Sequence, residues 1–468
     1  MNLPIVRITN IRIQNFKNVV NGSLSLENHR KNYKASIVGI YGQNGSGKTS
    51  IIEALDLLKN VLCGHSVSSE FVDYINADSK EAVLSFEFKV IFGASVQTVT
   101  YQFSIKSVFD DTKQNNSVFN QSEKKLVIFN ELLKCPILTN KQIKMGRLID
   151  TNSEDGFSPV SKRQLLIGKG ITNVLVAKKL AEASSRSFIF SRELLNIIRD
   201  NVKNHKTKEL EFYYSIIEGL VYYGNNSLFV VRTSHTGLIS LNAQPLMFKF
   251  KEGQCGYQGI LALPLDNPID ITEQTKNVVE KIVSSMNVVL AQLIPGLTIG
   301  VKDLGSVILS NGERGNRIQL MSNRNNKEIP LKYESEGIKK IISILQLLVV
   351  VYNQQSITVA VDELDAGIFE YLLGELLHII AEKGKGQLIF TSHNLRPLET
   401  LDKGFIAFTT TNPNNRYIHM TNVKGNNNLR DFYYRDIMLG EQNEELYEAT
   451  HNAEISLAFR EAGEYSGS

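Results

Sequence analysis

Gly42-Gln43-Asn44-Gly45-Ser46-Gly47-Lys48-Thr49 is a complete G-x-x-x-x-G-K-[ST] phosphate loop. Glycines at this spacing let backbone N–H groups turn inward around phosphates, and a following helix presents its positive end to them. Lys48 is expected to reach the β- and γ-phosphates, and the Thr49 hydroxyl to ligate Mg²⁺. Gly42, Asn44, Gly45, Ser46, Gly47, Lys48, Thr49 and Ser50 are the candidate nucleotide contacts. The flanks agree with this reading. Ser36-Ile37-Val38-Gly39-Ile40-Tyr41 reads as the strand that enters the loop, and Ile51, Ile52, Ala54, Leu55 and Leu58 mark the apolar face of the helix that leaves it.

Upstream, Ile5 to Ile13 alternates apolar and polar residues, predicting a strand that runs into Asn15-Phe16-Lys17-Asn18 and a turn-rich stretch at Asn21-Gly22. Downstream, residues 83–105 predict an antiparallel hairpin, and Asp110 to Lys125 an exposed loop. Helical patterns occupy 160–222 and 272–293, with strand-like runs at Leu228-Phe229-Val230-Val231 and Ile318-Gln319-Leu320. The last third alternates helix (336–352), strand (357–361), helix (367–383) and strand (387–391), the pattern of a mostly parallel sheet covered by helices.

Two of those strands end in chemistry. Ile357-Thr358-Val359-Ala360-Val361-Asp362-Glu363 is a buried run that delivers two carboxylates. Asp362 would hold Mg²⁺, directly or through water, and Glu363 could take a proton from an attacking water. Gln387-Leu388-Ile389-Phe390-Thr391-Ser392-His393 ends in an imidazole able to hydrogen-bond the γ-phosphate. A solvated acid pair or a lone histidine is commonly structural; the order carboxylate strand, helix, histidine strand favours function. The candidate catalytic set is therefore Lys48, Glu363 and His393, and the candidate metal ligands are Thr49 and Asp362.

These motifs resemble the ABC ATPases, and within them the SMC, RecF and OLD-type branch. Ile11-Arg12-Ile13-Gln14-Asn15-Phe16-Lys17 looks like that branch's first strand and its asparagine–phenylalanine–basic turn. Glu334-Ser335-Glu336-Gly337 looks like its S-x-G signature at a helix start, in a form distant from the transporter L-S-G-G-Q. By itself Ser335 is an ordinary helix N-cap; its place in the motif order promotes it. Asp365 falls where the family's D-loop lies. A Q-loop glutamine is expected in the region 75–105, where Gln97 and Gln102 are the candidates. Asp362 to Tyr371 and Asn428 to Tyr434 narrow the resemblance to the AAA15-type ATPases of bacterial anti-phage systems.

The resemblance implies an α/β ABC-ATPase head, a mixed sheet with flanking helices, split by a largely helical insertion. Its lobes would be 1–105 and 326–468, with 106–325 as the insertion. It further implies ATP and Mg²⁺ as ligands, with ATP sandwiched between one copy's phosphate loop and the Ser335 and Gly337 of another. The implied partners are further copies in a larger ring, a separate Toprim-type nuclease effector, and a phage-encoded trigger.

Composition bounds the alternatives. Lys and Arg total 51 against 48 Asp and Glu, a net charge of +3 that gives no warrant for a nucleic-acid binder. Clusters such as Lys162-Arg163, Lys169, Lys178-Lys179 and Lys203 with Lys206 and Lys208 leave a RecF-like DNA-binding reading open. Cys63, Cys135 and Cys255 match no zinc spacing. Met1 to Thr9 has no signal-peptide pattern, and Ile341 to Tyr352, interrupted by Gln346, is too short to span a bilayer. A cytoplasmic location is expected.

Overall fold

The computed structural model describes residues 3–29, 33–109, 124–138, 143–168, 170–252, 255–325, 327–420, 428–439 and 444–465. The loop expected at Asp110 to Lys125 lies almost wholly outside them, as does Lys169. The chain opens with β1 (Ile5–Phe16), β2 (Val19–Ser25), β3 (Ser36–Tyr41), α1 (Lys48–Leu62), β4 (Glu81–Phe92), β5 (Ser95–Phe109), β6 (Lys124–Leu138) and β7 (Ile143–Asp150). Four helices follow, α2 (Val160–Ile167), α3 (Ile171–Ala183), α4 (Arg192–Asn204) and α5 (Lys208–Asn226), then β8 (Leu228–Val231) and the short α6 (Thr233–Gly237). Next come β9 (Ala243–Glu252), β10 (Cys255–Pro264), β11 (Ile269–Thr272), α7 (Glu273–Leu293), β12 (Leu297–Ile308), β13 (Arg314–Arg324) and β14 (Lys327–Pro330). The chain closes with α8 (Glu336–Asn353), β15 (Thr358–Val361), α9 (Glu370–Lys383), β16 (Gln387–Thr391), α10 (Arg396–Thr400), β17 (Ile406–Thr409), β18 (Tyr417–Ile418), α11 (Leu429–Leu439) and α12 (Asn452–Tyr465).

Two six-stranded sheets dominate. One, in the order β2-β1-β4-β5-β6-β7, is antiparallel throughout. The other, β18-β17-β3-β16-β15-β8, is parallel except at the β17–β18 edge. β15 and β16, buried at every residue and apolar except at Thr358, Gln387 and Thr391, fit a sheet covered on both faces. β8, read from the sequence as part of the middle region, pairs with β15 in this sheet.

The sheets are locked together by polar side chains that complete each other's backbone. Gln387 of β16 donates to the Ile8 carbonyl (2.8 Å) and accepts from the Ile8 N–H (2.9 Å) at the bulge in β1. Thr358 donates to the same Gln387 oxygen and accepts from Tyr223 (2.7 Å). Gln346, which interrupts the apolar run of α8, does the equivalent for the backbone N–H and carbonyl of Lys249 in β9. A buried amide that satisfies backbone groups in this way avoids the roughly 1–3 kcal/mol cost of leaving them unpaired.

Two local expectations shift. Asn21-Gly22 is inside β2, because the ring of Tyr417 lies 2.6 Å from where a Cβ on residue 22 would sit; the glycine serves close packing, and the turn is at Lys17-Asn18. The helix expected from 367 starts at Glu370, since Gly367 has φ +76° and belongs to the preceding turn. Cys63 and Cys135 are free thiols, pushed up to about 11 and about 12 by burial. Among the described residues no helix is long and apolar enough to cross a membrane.

Candidate nucleotide-binding site

The parallel strands β3, β16 and β15 end side by side, so the loops that follow them meet at one edge of the sheet. β3 feeds the phosphate loop, where Gly42, Gly45 and Gly47 have φ of +151°, +77° and +92°. At residue 42 a Cβ would also lie 1.8 Å from the Thr409 hydroxyl, so only glycine fits. α1 begins at Lys48 with Gly47 as its N-cap, no side-chain cap and no acid in its first turn. Its first N–H groups therefore lack the side-chain acceptor that an ordinary N-cap supplies, the condition for anion binding at a helix start.

Lys48 is buried within the loop and donates to the Gly42 and Gln43 carbonyls, each at 2.9 Å. Burial holds its ammonium pKa below the usual lysine value, and the charges of Asp362, Glu363 and Asp365 oppose that shift. The Thr49 hydroxyl lies 3.2 Å from Asp362 Oδ1, and the Thr391 hydroxyl donates to the same oxygen at 2.7 Å. Thr391 Oγ1 in turn accepts from the Glu363 N–H at 2.7 Å. Asp362 is 2% exposed. A hydroxyl and a carboxylate at this separation are hard oxygen donors that suit Mg²⁺, a cation usually held by one or two protein groups plus phosphate and water. No cluster of three or more His, Cys, Asp or Glu residues among the described residues competes with that arrangement.

Glu363 is exposed and sits in the left-handed region, φ +47°. Asp365 faces its own chain: Oδ2 accepts from the N–H groups of His393 (3.0 Å) and Asn394 (2.9 Å). Its Oδ1 is buried and accepts no hydrogen bond. Asp365 thereby fixes the loop that presents the exposed His393.

Ser335 caps α8, its hydroxyl accepting from the Ile338 N–H at 3.3 Å, and is exposed. Gly337 lies against Gly367, where a Cβ would come within 1.9 Å of the carbonyl oxygen. The structure thus brings Gly42 to Ser50, Asp362, Glu363, Asp365 and His393 to one sheet edge. It places Ser335 and Gly337 beside the Asp365–Gly367 turn, with no hydrogen bond to the phosphate loop of the same chain among the described residues. Asn44 and Gly45 are exposed, while the Ser50 hydroxyl is turned toward Asn18 at 3.5 Å.

Several residues around the loop carried no motif. Tyr417 donates to the Gly47 carbonyl at 2.8 Å, and Asn18 donates to the Gly45 carbonyl. Arg416, buried, holds the Asn18 carbonyl at 2.9 Å. Lys17 pairs with Glu53 of α1 at 2.6 Å and lies over the Tyr74 ring. The Gln43 amide exchanges hydrogen bonds with the backbone of Glu448. Of these, only Gln43, inside the phosphate loop, and the asparagine–phenylalanine–basic turn left a trace in the sequence reading. Gln97 and Gln102 both lie in β5 of the antiparallel sheet, Gln97 bonded to Ser95. At the sheet edge beside Asp362, β8 is followed by Arg232, which bonds Tyr74 at 2.9 Å and pairs with Asp56 at 3.5 Å.

Across residues 7–415 the chain matches the RecF/RecN/SMC N terminal domain. The chain belongs to this family. No curated protein matches it. Among the solved structures that the chain matches are the SMC head domain from Thermotoga maritima (12% identity, 89% of this chain and 99% of that one, TM-score 0.36), the Smc head with coiled coil and joint from Pyrococcus yayanosii (10%, 89% and 98%, 0.39), and the recombination mediator protein RecF (12%, 88% and 98%, 0.35).

Proposed function

We propose that this SMC/RecF-like ATPase binds and hydrolyses ATP at a site completed by a second copy of the chain, and that it serves as the sensor and scaffold of an anti-phage system. The observation that carries the ATPase reading is the Thr49–Asp362–Thr391–Glu363 hydrogen-bond chain, which joins the phosphate loop to the carboxylate strand at one sheet edge.

Lys48 and the uncapped start of α1 would hold the β- and γ-phosphates. Thr49 and Asp362 would hold Mg²⁺, which supplies charge neutralisation on the phosphate oxygens. Glu363 would take the proton of the attacking water, and His393, set by Asp365, would contact the γ-phosphate. Ser335 and Gly337 would approach the nucleotide of the other copy. ATP as an interfacial ligand favours the assembled state by mass action. Steady-state phosphate release and size-exclusion chromatography test this. Glu363→Gln should lower turnover by about 10²–10⁴-fold, the span of general-base contributions, and accumulate ATP-bound dimers. Unchanged turnover removes the base assignment.

The defence role rests on the resemblance of Asp362 to Tyr371 and Asn428 to Tyr434 to AriA, the ATPase subunit of PARIS. On that reading the 106–325 region carries contacts to a separate Toprim-type nuclease, as AriB is to AriA, and to a phage trigger, in the cytoplasm. Phage-plating assays with Lys48→Ala test it: protection should be lost, and full protection counts against it. Of the basic side chains that the RecF-like DNA-binding alternative would use, Lys162, Lys178 and Arg163 are engaged within the fold, whereas Lys179, Lys203, Lys206 and Lys208 are exposed. Lys162 pairs with Glu209 at 2.6 Å, Lys178 donates to the Thr151, Ser153 and Gly156 carbonyls, and Arg163 donates to the Asp155 and Phe157 carbonyls.

A further inference from the structure

Lys340 stands out among the charged groups that the ATPase reading leaves unused. It lies on α8, is 3% exposed, and donates through Nζ to the backbone carbonyl of Glu363 at 3.3 Å. The same carbonyl accepts from the Ala366 N–H at 3.1 Å, so both bonds act on the peptide unit that aims the Glu363 side chain. Burial lowers the pKa of the ammonium, and the charges of Glu363, Asp365 and Asp362 oppose that fall. A buried lysine is costly unless its charge is compensated, and a methionine would fill the same space without that cost. One further contact joins the same two segments: the close approach of Gly337 to the Gly367 carbonyl.

We propose that Lys340 is a positioning residue that ties the start of α8 to the Glu363 turn of its own chain, and thereby makes the two nucleotide sites of a dimer communicate. This rests on the two-copy site proposed above. In that site Ser335 meets the nucleotide held by the other copy, whereas Glu363 acts on the nucleotide held by its own. Ser335 and Lys340 are five residues apart on one helix, about 7.5 Å along its axis at 1.5 Å per residue. A helix over that length moves as a unit. Contact of nucleotide with Ser335 therefore displaces Lys340, and through the Glu363 carbonyl it sets the carboxylate of the neighbouring site. The coupling element is a packed joint with named contacts, and both sites bias it.

The test is steady-state ATP hydrolysis by the full chain, with nucleotide affinity measured separately in the Glu363→Gln background. The expected result is cooperative turnover in the wild type, with a Hill coefficient above one. Lys340→Met should lower kcat about tenfold and bring the Hill coefficient to one, leaving ATP affinity within about twofold. A purely structural role would lower the melting temperature and scale all activities with the folded fraction. Should Lys340→Met fail to fold, Lys340→Gln, which keeps a donor for the carbonyl without the charge, is read the same way, with a smaller loss expected. Non-cooperative wild-type turnover, variants that keep wild-type cooperativity, or kcat and affinity that fall together overturn the proposal. If Glu363→Gln alone forms no ATP-trapped dimer, the two-copy reading fails first, which separates that failure from this one.

Discussion

The carboxylates of the two large sheets, the lone Glu131 in one and the Asp362–Asp365 group in the other, are treated in opposite ways. In the antiparallel sheet Glu131 is 2% exposed, and its oxygens accept from the Tyr101 hydroxyl (2.7 Å), the Phe188 N–H (2.6 Å) and the Ser187 hydroxyl. Its pKa is raised by burial, with those donors opposing the rise. At the edge of the parallel sheet Asp362, Glu363 and Asp365 lie within three residues of one another. The chain leaves one Asp365 oxygen unpartnered, holds Glu363 at positive φ and buries Lys48 and Lys340 among them. A polar group that its own chain satisfies is architecture. Charges crowded together with capacity to spare await a ligand that completes them.

The contrast can be broken most sharply at Lys48. Lys48→Ala should lower ATP turnover by about 100-fold or more, the size typical of losing one preorganised donor to a developing negative charge. Its melting temperature should not fall, because the substitution removes a buried ammonium. A marked loss of stability with turnover retained would place Lys48 with the architecture. Glu131→Ala reverses the pattern. Stranding its three donors should cost about 2–3 kcal/mol in denaturant unfolding, with ATP affinity unchanged. A nucleotide defect without destabilisation would erase the distinction between the carboxylates of the two sheets.

Smaller effects sharpen the boundary. Tyr417→Phe removes one donor from the buried Gly47 carbonyl, so ATP binding should weaken by about 1 kcal/mol, roughly fivefold, in titration calorimetry. Gln43→Ala opens the exposed exchange with Glu448 and should change affinity by less than about twofold, since water replaces an exposed hydrogen bond readily. A larger change would show that the segment around Glu448 is part of the phosphate loop's support.

Local patterns revealed much of this. The phosphate loop, the two apolar strands that end in Asp362 and His393, and the capped start of α8 each depend on short-range chemistry: glycine freedom, buried-strand composition and an N-cap serine. Gln97 and Gln102 misled because a glutamine's spacing says nothing about which sheet will hold it; both went to β5. Asn21-Gly22 misled because an Asn-Gly pair signals a turn, whereas here the glycine makes room for Tyr417, 395 residues further along the chain.

The amino-acid order alone determined the family, through motifs spread over residues 7–415, and the identity of the phosphate loop and of the strands and helices beside it, since each such motif is written within a window of about ten residues. Tertiary structure alone decided which distant groups complete that window. Placing β8 next to β15, closing Tyr417 and Thr409 over the loop, and burying Lys340 under Glu363 all depend on contacts between segments far apart in the chain. Such contacts arise when the antiparallel sheet and α8 pack on opposite faces of the parallel sheet, in two separate apolar cores, and no local periodicity encodes them.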